Sequence, residues 1–98
     1  MTQKKTIWIT GASSGIGRAL AIKFASEGWT VAASARREDL LKELKNENHN
    51  IYSYPLDVTD VDRCCLVFKK ILEDFKSVEI CVFGAGINDP KSERQFDL

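Results

Sequence analysis

A glycine-rich loop separates the first apolar run of this chain from its first helical pattern. Residues 6–20 read TIWITGASSGIGRAL, with Gly11, Gly15 and Gly17 between the two. Consecutive apolar residues before the loop predict a short buried strand, and the apolar spacing from Gly15 onward predicts a helix. Glycine permits a sharp turn and a close approach of phosphate, and the free N–H groups of a helix N-terminus attract anions. The loop therefore predicts a phosphate-binding strand-to-helix turn.

This loop has two alternative interpretations. The glycines could form a tight turn that binds nothing, although the succession of strand, loop, helix and second strand favours dinucleotide binding. A Walker loop is excluded, because such a loop has a lysine six residues after its first glycine. Gly17 occupies that position here, and Arg18 follows it.

The rest of the chain alternates in the same way. Strands are predicted at 6–10, 29–35, 50–56 and 79–83, and helices from 15 to Gly28, over 37–48 and from about 60 to 76. Strands that are apolar throughout are typical of a parallel sheet with helices on both faces. Right-handed crossovers then favour the strand order 3-2-1-4. The sequence predicts an α/β, Rossmann-type doubly wound sheet in three α/β/α layers, forming one domain over 1–98 with 90–98 loosely ordered.

The third predicted helix has a regular apolar stripe. Its members, at spacings of four, three, four and three, are Val61, Cys65, Phe68, Leu72 and Phe75. This spacing predicts that the stripe faces the sheet.

Cysteine usage does not indicate a metal site. The chain has three cysteines, an odd number, and no Cys-x-x-Cys motif. His49 is its single histidine. A zinc site needs about four well-spaced ligands. Cys64, Cys65 and Cys81 are therefore expected to be small buried hydrophobic residues.

Composition and charge exclude several functional classes. Hydrophobic residues make up 44% and charged residues 29% of the 98, which is typical of a globular domain. Fourteen basic residues balance fourteen acidic ones, so no overall field favours nucleic acid. No run approaches the roughly 18 apolar residues of a membrane span. We expect no nucleic-acid or membrane partner, and a cytoplasmic location.

Four segments together resemble the short-chain dehydrogenase/reductase family. TGASSGIG at 10–17 is similar to its glycine motif, and LDVTD at 56–60 to the segment after its third strand. ASARR at 33–37 lies where the family selects its cofactor, and FGAG at 83–86 takes the place of its NNAG motif. The resemblance extends from the first strand to the fourth. It implies hydride transfer between a nicotinamide dinucleotide and an alcohol or carbonyl substrate.

The resemblance also implies which residues bind the dinucleotide. They are Gly11, Ser13, Ser14, Gly15, Ile16, Gly17, Ser34, Arg36, Arg37, Asp57, Val58, Ala85 and Gly86. Asp57 is expected to contact the adenine. The chain departs from the family at Phe83 and Gly84, which replace asparagines that help to stabilise the central sheet.

The cofactor predicted from these residues is NADP rather than NAD. In NAD sites the second strand ends in an acidic residue about 20 residues beyond the glycines, and that residue binds the ribose hydroxyls. Here Ala35 and Arg36 fall at this place. Arg36 and Arg37 suit a 2′-phosphate, to which Ser34 could add a hydrogen bond. Alternatively, the arginines are solvated and paired with Glu38 or Asp39.

No catalytic residue is assigned within this chain. In the family, four residues that follow the fourth strand carry the catalysis. A tyrosine transfers the proton, a lysine lowers the pKa of that tyrosine and binds the nicotinamide ribose, a serine orients the substrate carbonyl, and an asparagine completes a proton relay. Tyr-x-x-x-Lys does not occur here, and Tyr52 and Tyr54 lie in the third predicted strand. The chain is expected to be the cofactor-binding N-terminal part, truncated after the fourth strand, with a small-molecule substrate only if a catalytic half exists.

Three outcomes follow from this expectation. The first is an NADP-dependent oxidoreductase represented by its cofactor-binding part. The second is a non-catalytic dinucleotide-binding module or a decayed gene product, and the third is a chain that does not fold stably. If the sheet forms, the uncovered edge of the fourth strand, EICVF, predicts self-association.

Overall fold

The computed structural model describes residues 4–13 and 15–83. The elements are β1 Thr6–Thr10, α1 Gly15–Ser26, β2 Thr30–Ser34, α2 Glu38–Lys45, β3 Ile51–Ser53, α3 Val61–Phe75 and β4 Ile80–Phe83. Their order and type are as predicted, and each lies within its predicted segment. The expectations for Ser14, Ala85, Gly86 and the tail 90–98 fall outside the described residues.

The four strands form one parallel sheet in the order β3-β2-β1-β4. Ile7 of β1 pairs with Val31 on one side and with Ile80 on the other, and Val31 pairs with Ile51 of β3. The predicted order 3-2-1-4 is confirmed. Because the strands are parallel, their carboxyl ends meet at one edge of the sheet, and the glycine loop leaves β1 at that edge.

One face of the sheet packs against α1 and α2. Ile7 and Ile9 of β1 are fully buried there with Ala21 and Ala25 of α1. Small residues on α1 let the helix lie close to the strands, whereas α2 contributes the larger Leu41 and Leu44. This is the larger of the two cores and holds the helix that begins at the glycine loop.

The opposite face packs against α3, which completes the predicted three layers. Trp8 and Ala32 of the sheet are buried with Val67 and Ile71 of the helix. The predicted face of α3 was wrong in part, because Val61 is 70% exposed and Cys65 is also exposed.

The expectation of three buried thiols was also wrong. Cys64 is half-buried, whereas Cys65 and Cys81 are exposed. Cys65 lies on the outer side of α3. Cys81 lies on β4, the last strand of the described sheet, where the side facing away from β1 has no neighbour among residues 4–13 and 15–83.

A glycine in the left-handed region ends α1, as the sequence predicts. Gly28 has φ +91°, and its N–H donates to the Ala25 carbonyl at 3.1 Å. The N–H of Trp29 donates to the Phe24 carbonyl at 3.0 Å. This pair of hydrogen bonds is a Schellman motif, which turns the chain directly into β2.

β4 forms an open edge of the described sheet. Ile80 is 37% and Phe83 is 56% exposed, so apolar surface accompanies unpaired backbone groups. Such an edge favours association with another strand. Self-association through β4 stays a prediction.

Glu79 joins the amino-terminal ends of β4 and β1. Its Oε1 accepts from the Thr6 N–H at 2.7 Å, its Oε2 accepts from Ser77 Oγ at 2.8 Å, and its own N–H donates to the Thr6 carbonyl at 2.9 Å. The hydrogen bond from Thr6, and then that from Ser77, lowers the pKa of Glu79 below its usual 4.5.

Acid is therefore expected to weaken the attachment of β4. A carboxylate with a lowered folded-state pKa stabilises the fold above its unfolded pKa, and this contribution is lost as pH falls through the folded value. We expect the stability difference between the wild type and Glu79→Gln to be present at pH 7 and to shrink below pH 4.5. Urea denaturation of both chains across this range measures the difference. A difference that does not change with pH would contradict this role of Glu79.

Candidate functional site

The glycine loop adopts a backbone that other residues rarely adopt. Gly11 has φ +67° and Gly15 has φ +60°, both in the left-handed region. Side chains with a Cβ are strained in this region, so glycine is needed where the chain leaves β1 and where it enters α1.

Gly17 has a different requirement, which is space. A Cβ on Gly17 would overlap the carbonyl oxygen of Gly11 and lie 2.9 Å from its carbonyl carbon and 3.2 Å from the Ala12 Cα. The first turn of α1 thus packs directly on the loop backbone.

A backbone hydrogen bond joins the glycine loop to the end of β2, and the start of α1 is exposed to solvent. The Ala12 N–H donates to the Ser34 carbonyl at 3.1 Å. Gly15 and Ile16 are exposed at the helix start, and the first turn of α1 contains no acidic residue. The positive end of the helix dipole therefore faces solvent, next to backbone N–H groups that can bind a pyrophosphate.

A second part of the same edge lies beyond the ends of β2 and β3. Here a shallow depression of about 310 Å³ is lined by Arg36, Pro55, Leu56, Asp57, Asp60 and Arg63. Its wall combines guanidinium groups, carboxylates and apolar side chains. This combination suits a polar, partly aromatic ligand such as an adenosine.

Asp57 is held rigidly at the rim of the depression. Its Oδ1 accepts from the Thr59 hydroxyl at 2.7 Å and from the Thr59 N–H at 3.0 Å. These two hydrogen bonds, with a smaller attraction from Arg36, lower the pKa of Asp57. Asp57 is therefore an ionised acceptor at neutral pH, and Val58 beside it packs against the α3 core.

The two adjacent arginines differ in their surroundings. Arg37 donates to both carboxylate oxygens of Asp39, from Nε at 3.1 Å and from Nη2 at 2.9 Å. The alternative that Asp39 pairs with one of the arginines therefore holds for Arg37. In residues 4–13 and 15–83 no such ion pair includes Arg36, which is exposed and lines the depression.

Ser34 does not reach this surface, contrary to the expectation that its hydroxyl lies near a 2′-phosphate. Its side chain is fully buried, and its Oγ accepts from the indole Nε1 of Trp8 at 2.9 Å. The side chain points from β2 into the α3 core, because it lies on the same face of the strand as Ala32.

Arg63 was missed by the sequence analysis. It is the third residue after Asp60, whose Oδ1 caps α3 by accepting from the Arg63 N–H at 3.1 Å. The cap signal locates the start of the helix, but it does not show that the first turn borders the same depression as Arg36.

The two tyrosines are not placed for proton transfer at this edge. Tyr54 Oη donates to Asp74 Oδ2 at 2.6 Å, near the C-terminal end of α3. Burial and then this hydrogen bond raise the pKa of Tyr54 well above its usual value. Tyr52 is in β3, where it packs against Phe75. Neither tyrosine is a catalytic acid by position.

Comparison with known proteins identifies the family. The family model for short chain dehydrogenase matches residues 5–98, almost the whole chain. This chain belongs to that family. The resemblance to the short-chain dehydrogenase/reductase family is thereby confirmed.

Two similar proteins are much longer than this chain. A Dictyostelium discoideum dehydrogenase/reductase SDR family protein 7-like is 38% identical over 93 residues, which cover 86% of this chain and 29% of that protein. A short chain dehydrogenase from Bacillus anthracis superposes with a TM-score of 0.79 at 33% identity, over 83% of this chain and 34% of that one. The chain thus spans about a third of the length of these relatives.

Relatives of similar fold differ in the cofactor that their names give. YwfH, an NADPH-dependent reductase of bacilysin biosynthesis, superposes with a TM-score of 0.75 at 25% identity, over 81% of this chain and 34% of that one. A Burkholderia phymatum family member in complex with NAD does so with a TM-score of 0.73 at 29% identity, over 81% and 30%. The family therefore includes one relative described as NADPH-dependent and another bound to NAD.

One more finding concerns the membrane. Among the helices in the described part of the chain, none has both the length and the apolar character needed to cross a bilayer.

Proposed function

We propose that this chain binds NADP and serves as the cofactor-binding part of an NADP-dependent oxidoreductase acting on an alcohol or carbonyl substrate. The observation that carries the proposal is Arg36 at the end of β2. An acidic residue there would bind the ribose hydroxyls of NAD and repel a 2′-phosphate, whereas Arg36 attracts the phosphate.

The remaining residues of the edge fit the rest of the dinucleotide. The loop N–H groups and the start of α1 would bind the pyrophosphate, with Gly11, Ser13, Gly15, Ile16 and Gly17 at the contact. Asp57 and Val58 would border the adenine. The bound nicotinamide would supply the hydride transfer itself, and the residues of this chain hold and orient the cofactor.

Arg36 is expected to determine the preference for NADP over NAD. A hydrogen bond between charged groups contributes about 1.5–3 kcal/mol, which is about a tenfold to a hundredfold change in affinity. We therefore expect Arg36→Gln to weaken NADPH binding by about tenfold or more and to change NADH binding by no more than about twofold. Calorimetric titration of both cofactors measures this.

Two further variants test the specificity of the effect. Lys42→Gln removes one exposed positive charge from α2, away from the depression, and is expected to leave both affinities unchanged. Arg37→Gln is expected to have a smaller effect than Arg36→Gln, since Asp39 already engages Arg37. Equal weakening of NADPH and NADH by Arg36→Gln would contradict the assignment of NADP.

A second candidate function is dinucleotide binding without catalysis. The observation in its favour is that Tyr52 lies in β3 and Tyr54 directly follows it, with the Tyr54 hydroxyl bonded to Asp74 near the C-terminal end of α3. An isolated chain that binds NADPH and transfers no hydride to carbonyl substrates would support this candidate. Turnover by the chain alone would exclude it.

A further inference from the structure

Two arginines from different elements line the depression beyond β2 and β3. Arg36 follows β2, and Arg63 lies in the first turn of α3. Both are exposed, and Pro55 and Leu56 contribute an apolar wall between the two elements. Two guanidinium groups beside an apolar wall suit a ligand that joins an anionic group to a flat ring.

Each carboxylate of the depression accepts hydrogen bonds from a neighbouring residue of its own segment, and Asp57 also attracts Arg36. Asp57 accepts from Thr59, and Asp60 accepts from the backbone N–H that starts α3. In the described ranges 4–13 and 15–83, neither Arg36 nor Arg63 belongs to an ion pair within 4.0 Å. The two positive and two negative groups balance, so an anion would be held here by directed guanidinium hydrogen bonds rather than by a net field.

Arg37, the residue next to Arg36, is already engaged. Its guanidinium donates to both carboxylate oxygens of Asp39, so Arg37 would have to give up two hydrogen bonds to bind a phosphate. Arg63 has no such competing bond among the described residues. Its backbone N–H makes the helix cap, which leaves the guanidinium available.

We propose that Arg63 is a specificity-determining residue that binds the 2′-phosphate of the cofactor together with Arg36. This inference rests on the proposed function, NADP binding. Two guanidinium groups offer more donors than one and can hold the phosphate from two sides, since they come from different elements.

The test uses the adenosine end of the cofactor alone. Adenosine 2′,5′-bisphosphate and adenosine 5′-monophosphate are titrated calorimetrically into the 98-residue chain, because they differ only in the 2′-phosphate. We expect Arg63→Gln to weaken the bisphosphate by about tenfold or more and the monophosphate by no more than about twofold. Arg63→Lys should lie between wild type and Arg63→Gln, since lysine retains the charge but not the two-pronged hydrogen bonding.

The matched control is on the same helix. Lys69→Gln removes an exposed positive charge from α3, remote from the depression, and should leave both affinities unchanged. Arg63→Gln retains the helix cap, because the cap uses the Arg63 backbone, and circular dichroism checks that the helix content is unchanged.

Each other result overturns a stated part of the inference. Equal weakening of both nucleotides would place Arg63 at the base and overturn the phosphate contact. Unchanged binding of the bisphosphate would overturn the role of Arg63 and, if the wild type still prefers the bisphosphate, leave the proposed function intact. A wild type that binds neither nucleotide, or binds both equally, would overturn NADP binding and the role of Arg63 with it.

Discussion

Gly17→Ala is expected to lower the free energy of unfolding by about 3 kcal/mol, at the upper end of the usual cost of overpacking. The new Cβ would overlap the Gly11 carbonyl oxygen and lie 2.9 Å from its carbonyl carbon. Backbone atoms cannot move away as a flexible side chain can. The first turn of α1 would therefore have to shift, and the loop N–H groups proposed to bind the pyrophosphate would be displaced.

Urea denaturation measures the stability, and titration with NADPH under folding conditions measures the binding. Gly15→Ala is the matched comparison, because a Cβ there has nothing within 4 Å, although its φ of +60° remains unfavourable for alanine. We expect it to cost about 1–2 kcal/mol, less than Gly17→Ala. If Gly17→Ala were as stable as the wild type, α1 would have room for a Cβ beside the loop. The inference that α1 packs directly on the loop backbone would then be wrong.

The fold could be predicted because several local signals agree. Strands whose residues do not alternate between polar and apolar indicate burial on both faces, and Gly28, with its φ of +91°, marks the end of α1 in the sequence. The third helix is predicted to begin at about residue 60, and Asp60 makes the cap hydrogen bond at the start of α3. Each of these signals depends on a few neighbouring residues, which is why sequence alone sufficed.

The face of α3 could not be predicted by spacing. Val61, Cys65 and Phe68 form one helical row, and Val67 and Ile71 belong to a neighbouring row displaced by one residue, or about 100°. Both rows are apolar. The sheet selects the row around the fully buried Ile71, which packs with Trp8, and leaves Val61 in solvent.

The candidate site was predictable in part for a similar reason. The glycines and Asp57 belong to local motifs, so their positions followed from the sequence. The position of Arg63 beside Arg36 could not be predicted in this way. It depends on the tertiary contact that brings the first turn of α3 next to the end of β2. Ser34 ends β2, a strand with apolar residues on both faces. Because polar and apolar residues do not alternate along β2, the sequence does not show which way the Ser34 side chain points.

Trp8, whose indole N–H donates to the buried Ser34 hydroxyl, is expected to contribute strongly to the stability of the fold. This indole is 3% exposed, stacks on Phe68 with ring centroids 5.7 Å apart, and contacts Phe83 at 5.8 Å. We expect Trp8→Ala to lower the free energy of unfolding by about 3–5 kcal/mol. A small domain has about 5–15 kcal/mol in total, so this variant should approach complete loss of folding.

A double-mutant cycle separates the indole hydrogen bond from the ring packing. Trp8→Phe keeps a ring but leaves the buried Ser34 hydroxyl without its donor, and Ser34→Ala leaves the Trp8 N–H without its acceptor. Each unsatisfied group should cost about 1–3 kcal/mol, so the double variant should be more stable than the sum of the two losses predicts. Urea denaturation followed by circular dichroism measures all four chains. Additive losses would show that the hydrogen bond contributes nothing, and a change in the NADPH-to-NADH preference of Ser34→Ala would return this residue to the cofactor site.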